Sequence, residues 1–148
     1  MNLLFFTSSN NEHKKRLQRV IETRVQKENI EIYRTIESLS RRLRQLPNKP
    51  SIVILLVTSQ EELLDILRIR KLFRDIRIVL ILPDREESTV AKGHRLYPRF
   101  FSYIDSDFKE IAAVLNKMLN HKYDEDWMIV RGTNDTYNSI TRAPAGDK

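Results

Sequence analysis

Three apolar runs constrain this chain more than any other feature: residues 3–6, 52–57 and 78–82, each followed at once by a short polar segment and a helical pattern. Strands with no polar alternation are buried on both faces, the condition of central strands in a parallel sheet. Parallel neighbours cannot be joined by a tight turn and need a crossover, so the chain must wind strand, helix, strand.

The pattern predicts five such units. A first strand over 2–6 leads to Ser9 and Glu12, spaced as an S-x-x-E capping box, and Leu17, Val20, Ile21 and Val25 then predict a helix over 10–27. Residues 30–34 alternate as an edge strand does, and Ile36, Leu39, Leu43 and Leu46 mark a second helix that Pro47 and Pro50 end. Residues 51–57 form the most strand-like segment; Ser59 and Glu62 repeat the capping box ahead of Leu63, Ile66, Leu67, Arg70 and Phe73. A fourth strand over 77–82 closes at Pro83, and a weak helix over 86–92 has Gly93 placed to terminate it. A fifth strand over 100–104 precedes the amphipathic series Phe108, Ile111, Ala112, Leu115, Met118 and Leu119.

This alternation predicts an α/β fold: a flavodoxin-like, doubly wound, five-stranded parallel sheet of order 2-1-3-4-5 in a three-layer α/β/α arrangement. The predicted domain covers residues 1–122. Residues 123–148 read as a polar, flexible tail broken by one apolar patch at 127–130 that contains Trp127.

The absence of cysteine excludes disulfides and thiolate metal sites and suits a reducing compartment. Residues 1–6 are too short for a signal peptide, and no apolar run approaches bilayer thickness. The chain therefore reads as cytoplasmic, with no membrane partner. His13, His94 and His121 are isolated from one another, and three glycines cannot build a phosphate-cradling loop, so neither a metal nor a cofactor is expected. No nucleophile-elbow motif supports Ser8, His94 and Asp105 as a triad, and no enzymatic activity is expected.

In element order and spacing, residues 2–122 resemble the receiver domain of bacterial response regulators. The resemblance implies an acidic pair after strand one, a phospho-accepting Asp ending strand three, a hydroxyl ending strand four and a Lys ending strand five. Laid on those positions, the chain has Thr7, Ser8 and Ser9 where the acidic pair belongs, within a register of one, and Leu56 or Val57 for the acceptor. Leu82 stands in for the hydroxyl, and Tyr103, or Phe100 if the loop is counted differently, for the Lys. Neutral hydroxyls are poor magnesium ligands, and an aliphatic side chain cannot attack phosphorus. The resemblance is thus to a degenerate, pseudo-receiver member, whose neutral pocket would let Leu56 and Leu82 pack together.

What remains points to contact rather than chemistry. His94, Arg95, Tyr97 and Arg99 form a basic, aromatic connection before strand five, on the face between helices four and five where receivers dock partners, and Trp127 is a further candidate anchor. The expected function is a phosphorylation-independent protein-interaction module in bacterial signal transduction, with an unidentified protein or a second copy of the chain as partner. One alternative is a sensor of a small anion or nucleotide at the polar segments 7–11 and 58–59. Another is a nucleic-acid-associated protein that exploits the net charge of +6, with basic residues clustered on helices one, two and three.

Overall fold

The computed structural model describes residues 2–45 and 49–120. Five strands, β1 (Leu3–Thr7), β2 (Ile30–Tyr33), β3 (Ile52–Leu56), β4 (Arg77–Leu82) and β5 (Phe100–Tyr103), form one parallel sheet of order β2-β1-β3-β4-β5. The helices are α1 (Glu12–Glu22), α2 (Ile36–Leu43), α3 (Gln60–Arg68), α4 (Glu87–His94) and α5 (Lys109–Asn120), with 3-10 turns at Lys27–Asn29 and Arg70–Phe73. This is the flavodoxin-like doubly wound arrangement predicted from the apolar runs. The chain divides into two units, Met1–Ala112 and Ala113–Lys148, with the division inside α5. The described part of the second is helical, with Val114, Leu115 and Met118 buried. The predicted domain boundary after Lys122, and Trp127, lie outside the described residues.

The first unit is organised by the pleat. The winding reverses between β1→β2 and β2→β3, and right-handed crossovers therefore put α1 and α2 on opposite faces of the sheet. Leu4, Phe6, Val53, Leu55, Leu80 and Leu82 share one face with Leu39 of α2 and Leu63 and Ile66 of α3 in a single core cluster. The alternate residues Leu3, Phe5, Ile54, Leu56 and Ile81 are fully buried on the other face, the side of Leu17 and Ile21 of α1. Burial of every β1 and β3 side chain explains their lack of polar alternation.

Three local expectations are corrected. Ser9 is not the N-cap of α1: the Asn11 side chain accepts from His13 N and Lys14 N, while Ser9 Oγ accepts from Asn11 N. Asn caps as well as Ser, and the later residue wins because α1 begins at Glu12. The helix also ends at Glu22, short of the predicted residue 27, in a turn where Thr23 N donates to Val20 O and Arg24 N to Ile21 O. Gly93 lies inside α4 rather than after it, and its role is close packing: a Cβ there would stand 2.9 Å from Phe101 Cε1 and 3.1 Å from Leu80 Cδ2.

The edge strand β2 is held by a polar knot. Glu31 accepts from Arg42 Nε (2.7 Å) and Tyr33 OH (3.0 Å) on one oxygen, and from Arg42 Nη2 (3.2 Å) and Asn2 Nδ2 (3.1 Å) on the other. Arg42, although charged, is only 6% exposed. Its bonds hold the Glu31 carboxyl below its ordinary value of 4.5.

Candidate functional site

Parallel α/β sheets place their working groups beyond the carboxyl ends of the strands. Here successive residues at those ends form two rows on opposite faces. Thr7, Leu56, Ile81 and Ser102 pair side by side in one row. Leu82 pairs with Tyr103 in the next, which Val57 joins through its N–H to Ile81 O (2.9 Å). Groups that grip one phosphoryl oxygen set must project from one side, and Val57 rather than Leu56 shares that side with Leu82 and Tyr103. Leu82 and Val57 belong to the α2–α4 core cluster and Leu56 does not, so the expected packing of Leu56 against Leu82 is replaced by Val57 beside Leu82.

The hydroxyls near the mouth are used locally. Thr7 is fully buried, and its Oγ1 accepts from Ser9 N at 3.2 Å. Ser8 Oγ and Thr58 Oγ1 stand 3.5 Å apart across the β1 and β3 ends. Glu62 accepts from Thr58 N (3.0 Å) and Oγ1 (3.3 Å), while Ser59 Oγ accepts from Glu62 N, so the second predicted capping box forms with its carboxylate one residue further back than the standard pattern.

Arg85 is the residue that sequence reasoning missed. Its guanidinium carbon lies 4.3 Å from the Tyr103 ring centroid, and its Nη1 donates to Asp105 Oδ2 at 2.5 Å. The pair ties the β4–α4 loop to the β5–α5 loop, and the Arg85 hydrogen bond holds the Asp105 carboxyl below its ordinary value of 3.8. Adjacent strands β4 and β5 each carry one member of this pair just past their ends, a juxtaposition that the predicted strand order already contained.

The magnesium ion implied by receiver-like folds does not fit this donor set. Thr7 is engaged by its own turn, Val57 and Leu82 have no donor atom, and Asp105 is committed to Arg85. Among the described residues no group of three His, Asp or Glu side chains is placed to hold a metal. A cleft of about 480 Å³ opens from Ser8 toward α2 and α3 over Phe6 and Ile36. Its lining includes Arg34 and Arg68 against Glu37, Glu62 and Asp65, a balance that does not favour an anion.

The α4–β5 connection divides between core and surface. Leu96 is buried and joins the core cluster, whereas Tyr97 is 88% exposed. Tyr97 is also held at φ 52°, a left-handed conformation that costs an L residue about 1–2 kcal/mol. His94 packs edge-on against Phe101 with ring centroids 4.6 Å apart, Arg95 caps α4, and Arg99 N donates to Ile78 O at 2.8 Å. The four residues thus follow one another at one end of α4, with Tyr97 the most exposed large apolar side chain among those described. Tyr97→Asn is expected to stabilise the fold by about 0.5–1 kcal/mol, because Asn tolerates this conformation and little packing is lost. A urea midpoint that falls instead would give Tyr97 a structural role.

No protein-family model and no curated protein matches the chain. Two solved structures do. A two-component response regulator from Legionella pneumophila is 20% identical, with a TM-score of 0.60, over 81% of this chain and 98% of that one. A putative pilus assembly-related protein from Burkholderia pseudomallei K96243 is 17% identical, with a TM-score of 0.51, over 78% of this chain and 90% of that one. No helix among the described residues is long and apolar enough to cross a membrane. Strand order, helix placement and these two likenesses agree that the chain has the receiver-domain fold of response regulators.

Proposed function

We propose that this protein is a non-catalytic, receiver-like interaction module that signals in bacteria without being phosphorylated. The observation that carries the reading is the row Val57, Leu82 and Tyr103, aliphatic and aromatic where an acceptor, a hydroxyl and a lysine would have to converge. Phosphoryl transfer needs a nucleophile together with charge neutralisation, and this row supplies neither. Contact with another protein is made through His94, Arg95, Tyr97 and Arg99. Tyr97 supports that role, since an exposed aromatic in a strained conformation contributes nothing evident to the fold.

Incubation with acetyl phosphate and magnesium, followed by intact mass measurement, is expected to leave the mass unchanged. A stable phosphoryl adduct on a strand-end residue overturns the proposal. Thermal melting is expected to be unmoved by magnesium or by a phosphoryl mimic, because among the described residues no cluster of carboxylates at the strand ends waits to be relieved. A rise of several degrees would show a binding site that this reading denies.

A further inference from the structure

A cationic surface stands at the end of the sheet remote from Val57 and Leu82. Crossover helices run back against their strands, so α2 and α3 both finish where β3 and β4 begin. Arg41 and Arg44 lie in the last turn and cap of α2, and Arg70, Lys71 and Arg74 in and after the following 3-10 turn; all five are exposed. α2 contacts that 3-10 turn, and Lys49 Nζ donates to Arg74 O at 3.4 Å, which closes the group. The basic clusters of helices two and three therefore lie on one layer, although their separation along the chain left that open.

Among the described residues this charge is not compensated by ion pairs. No acidic residue occurs between positions 38 and 59, and Asp75 is the single one between 66 and 82. None of the six cations forms an ion pair among the described residues, whereas neighbouring Arg68 is paired with Asp65. Helix dipoles favour a cation or two at a C-terminus but do not account for six without a counter-ion. Behind them, burial and the like charge of Arg99 pull the pKa of the Arg77 guanidinium down, so the same end of the sheet brings further positive groups together.

We propose that this surface binds the phosphate backbone of duplex nucleic acid without reading its sequence. Four of the six groups are guanidinium forks, whose planar donors match phosphate oxygens in pairs. Phe73, the aromatic residue of the segment, is buried, so among the described residues unpaired bases find no stacking platform there. The large hydrophobics exposed among the described residues are Ile32, Leu64 and Tyr97, all outside the patch. Among the described residues it therefore offers no apolar anchor for a bilayer and no hot-spot core for a protein partner. The cations sit at helix ends rather than along a helix face that could enter a groove, which leaves backbone contact without base readout.

Fluorescence anisotropy with the full chain and two unrelated duplexes of about 20 base pairs tests this. The two are expected to bind equally within about threefold, and engagement of about five phosphates predicts a loss of about 10²–10³-fold between about 50 and about 200 mM salt. Arg41→Glu, Arg70→Glu and Arg74→Glu combined should weaken binding by at least about tenfold, whereas Lys14→Glu, Lys15→Glu and Arg24→Glu on or beside α1 should change it by about twofold or less. Circular dichroism confirms that each variant is folded, and Arg41→Gln with Arg74→Gln gives the same comparison if the triple reversal is not. Equal losses from both triple variants would reduce the effect to net charge and overturn the proposal. So would absence of binding at the lowest salt, tighter binding to single strands, or tighter binding to phosphatidylserine vesicles than to duplex.

Discussion

Glu31→Leu is expected to destabilise the domain by about 3–5 kcal/mol, because it strands a guanidinium that the fold has almost wholly removed from water. Arg42 keeps none of its carboxylate bonds in that variant, and its 6% exposure leaves little route to solvent. In a domain whose whole stability is about 5–15 kcal/mol, the melting temperature should fall by roughly 10–15 °C. Arg42→Met should cost less, since the partly exposed carboxylate keeps Tyr33 and Asn2 and can hydrate. The double variant should recover most of the loss, as buried pairs replaced whole by apolar groups commonly do. If the double variant is no better than Glu31→Leu, the knot is holding β2 by something other than charge compensation. The pair also has a pH signature. The folded carboxyl titrates below its ordinary value of 4.5, so its stabilisation is complete at neutral pH. It shrinks as the pH drops below that value and is gone once the folded carboxyl is protonated. The margin in urea midpoint between wild type and Glu31→Leu should therefore narrow in acid.

Gly93→Val is expected to cost about 2–4 kcal/mol, the second largest effect. In an open helix, replacement of glycine gains stability, about 1 kcal/mol for alanine. Here the first added carbon already meets Phe101 at 2.9 Å and Leu80 at 3.1 Å, and a branched side chain adds to that conflict. Gly93→Ala should lose about 1–2 kcal/mol, opposite in sign to its helix propensity. Combination with Phe101→Leu should recover part of the loss; a Gly93→Ala variant more stable than wild type would show that the ring moves aside freely.

How much of this was legible depended on range. The strands were written in uninterrupted aliphatic runs such as 52–57, and the sheet order followed from five alternations with short connections. Competition among equivalent local choices was harder to read. Five consecutive polar residues, 7–11, can each cap a helix, and only the position of the first turn selects Asn11. Gly93 is a plausible terminator by type, and its packing role requires knowing that Phe101 lies opposite. At the candidate site the neutral or apolar character of Thr7, Leu82 and Tyr103 could be read directly. What covers Tyr103 was not, because the Arg85–Asp105 pair joins two loops 20 residues apart. Nor does any residue preference announce a left-handed tyrosine at 97.

The alternation of rows at the sheet's upper rim also decides how phosphoryl-accepting chemistry would have to be built into it. An aspartate grafted at Leu56 would be driven into the greasy layer beneath α1, between Thr7 and Ile81, and would stay protonated or unfold its surroundings. Grafted one step onward, at Val57, it would emerge beside Leu82 and Tyr103, within reach of any lysine or threonine installed there. Designing a phosphoryl acceptor into this rim would begin from parity, before any choice of reagent or metal.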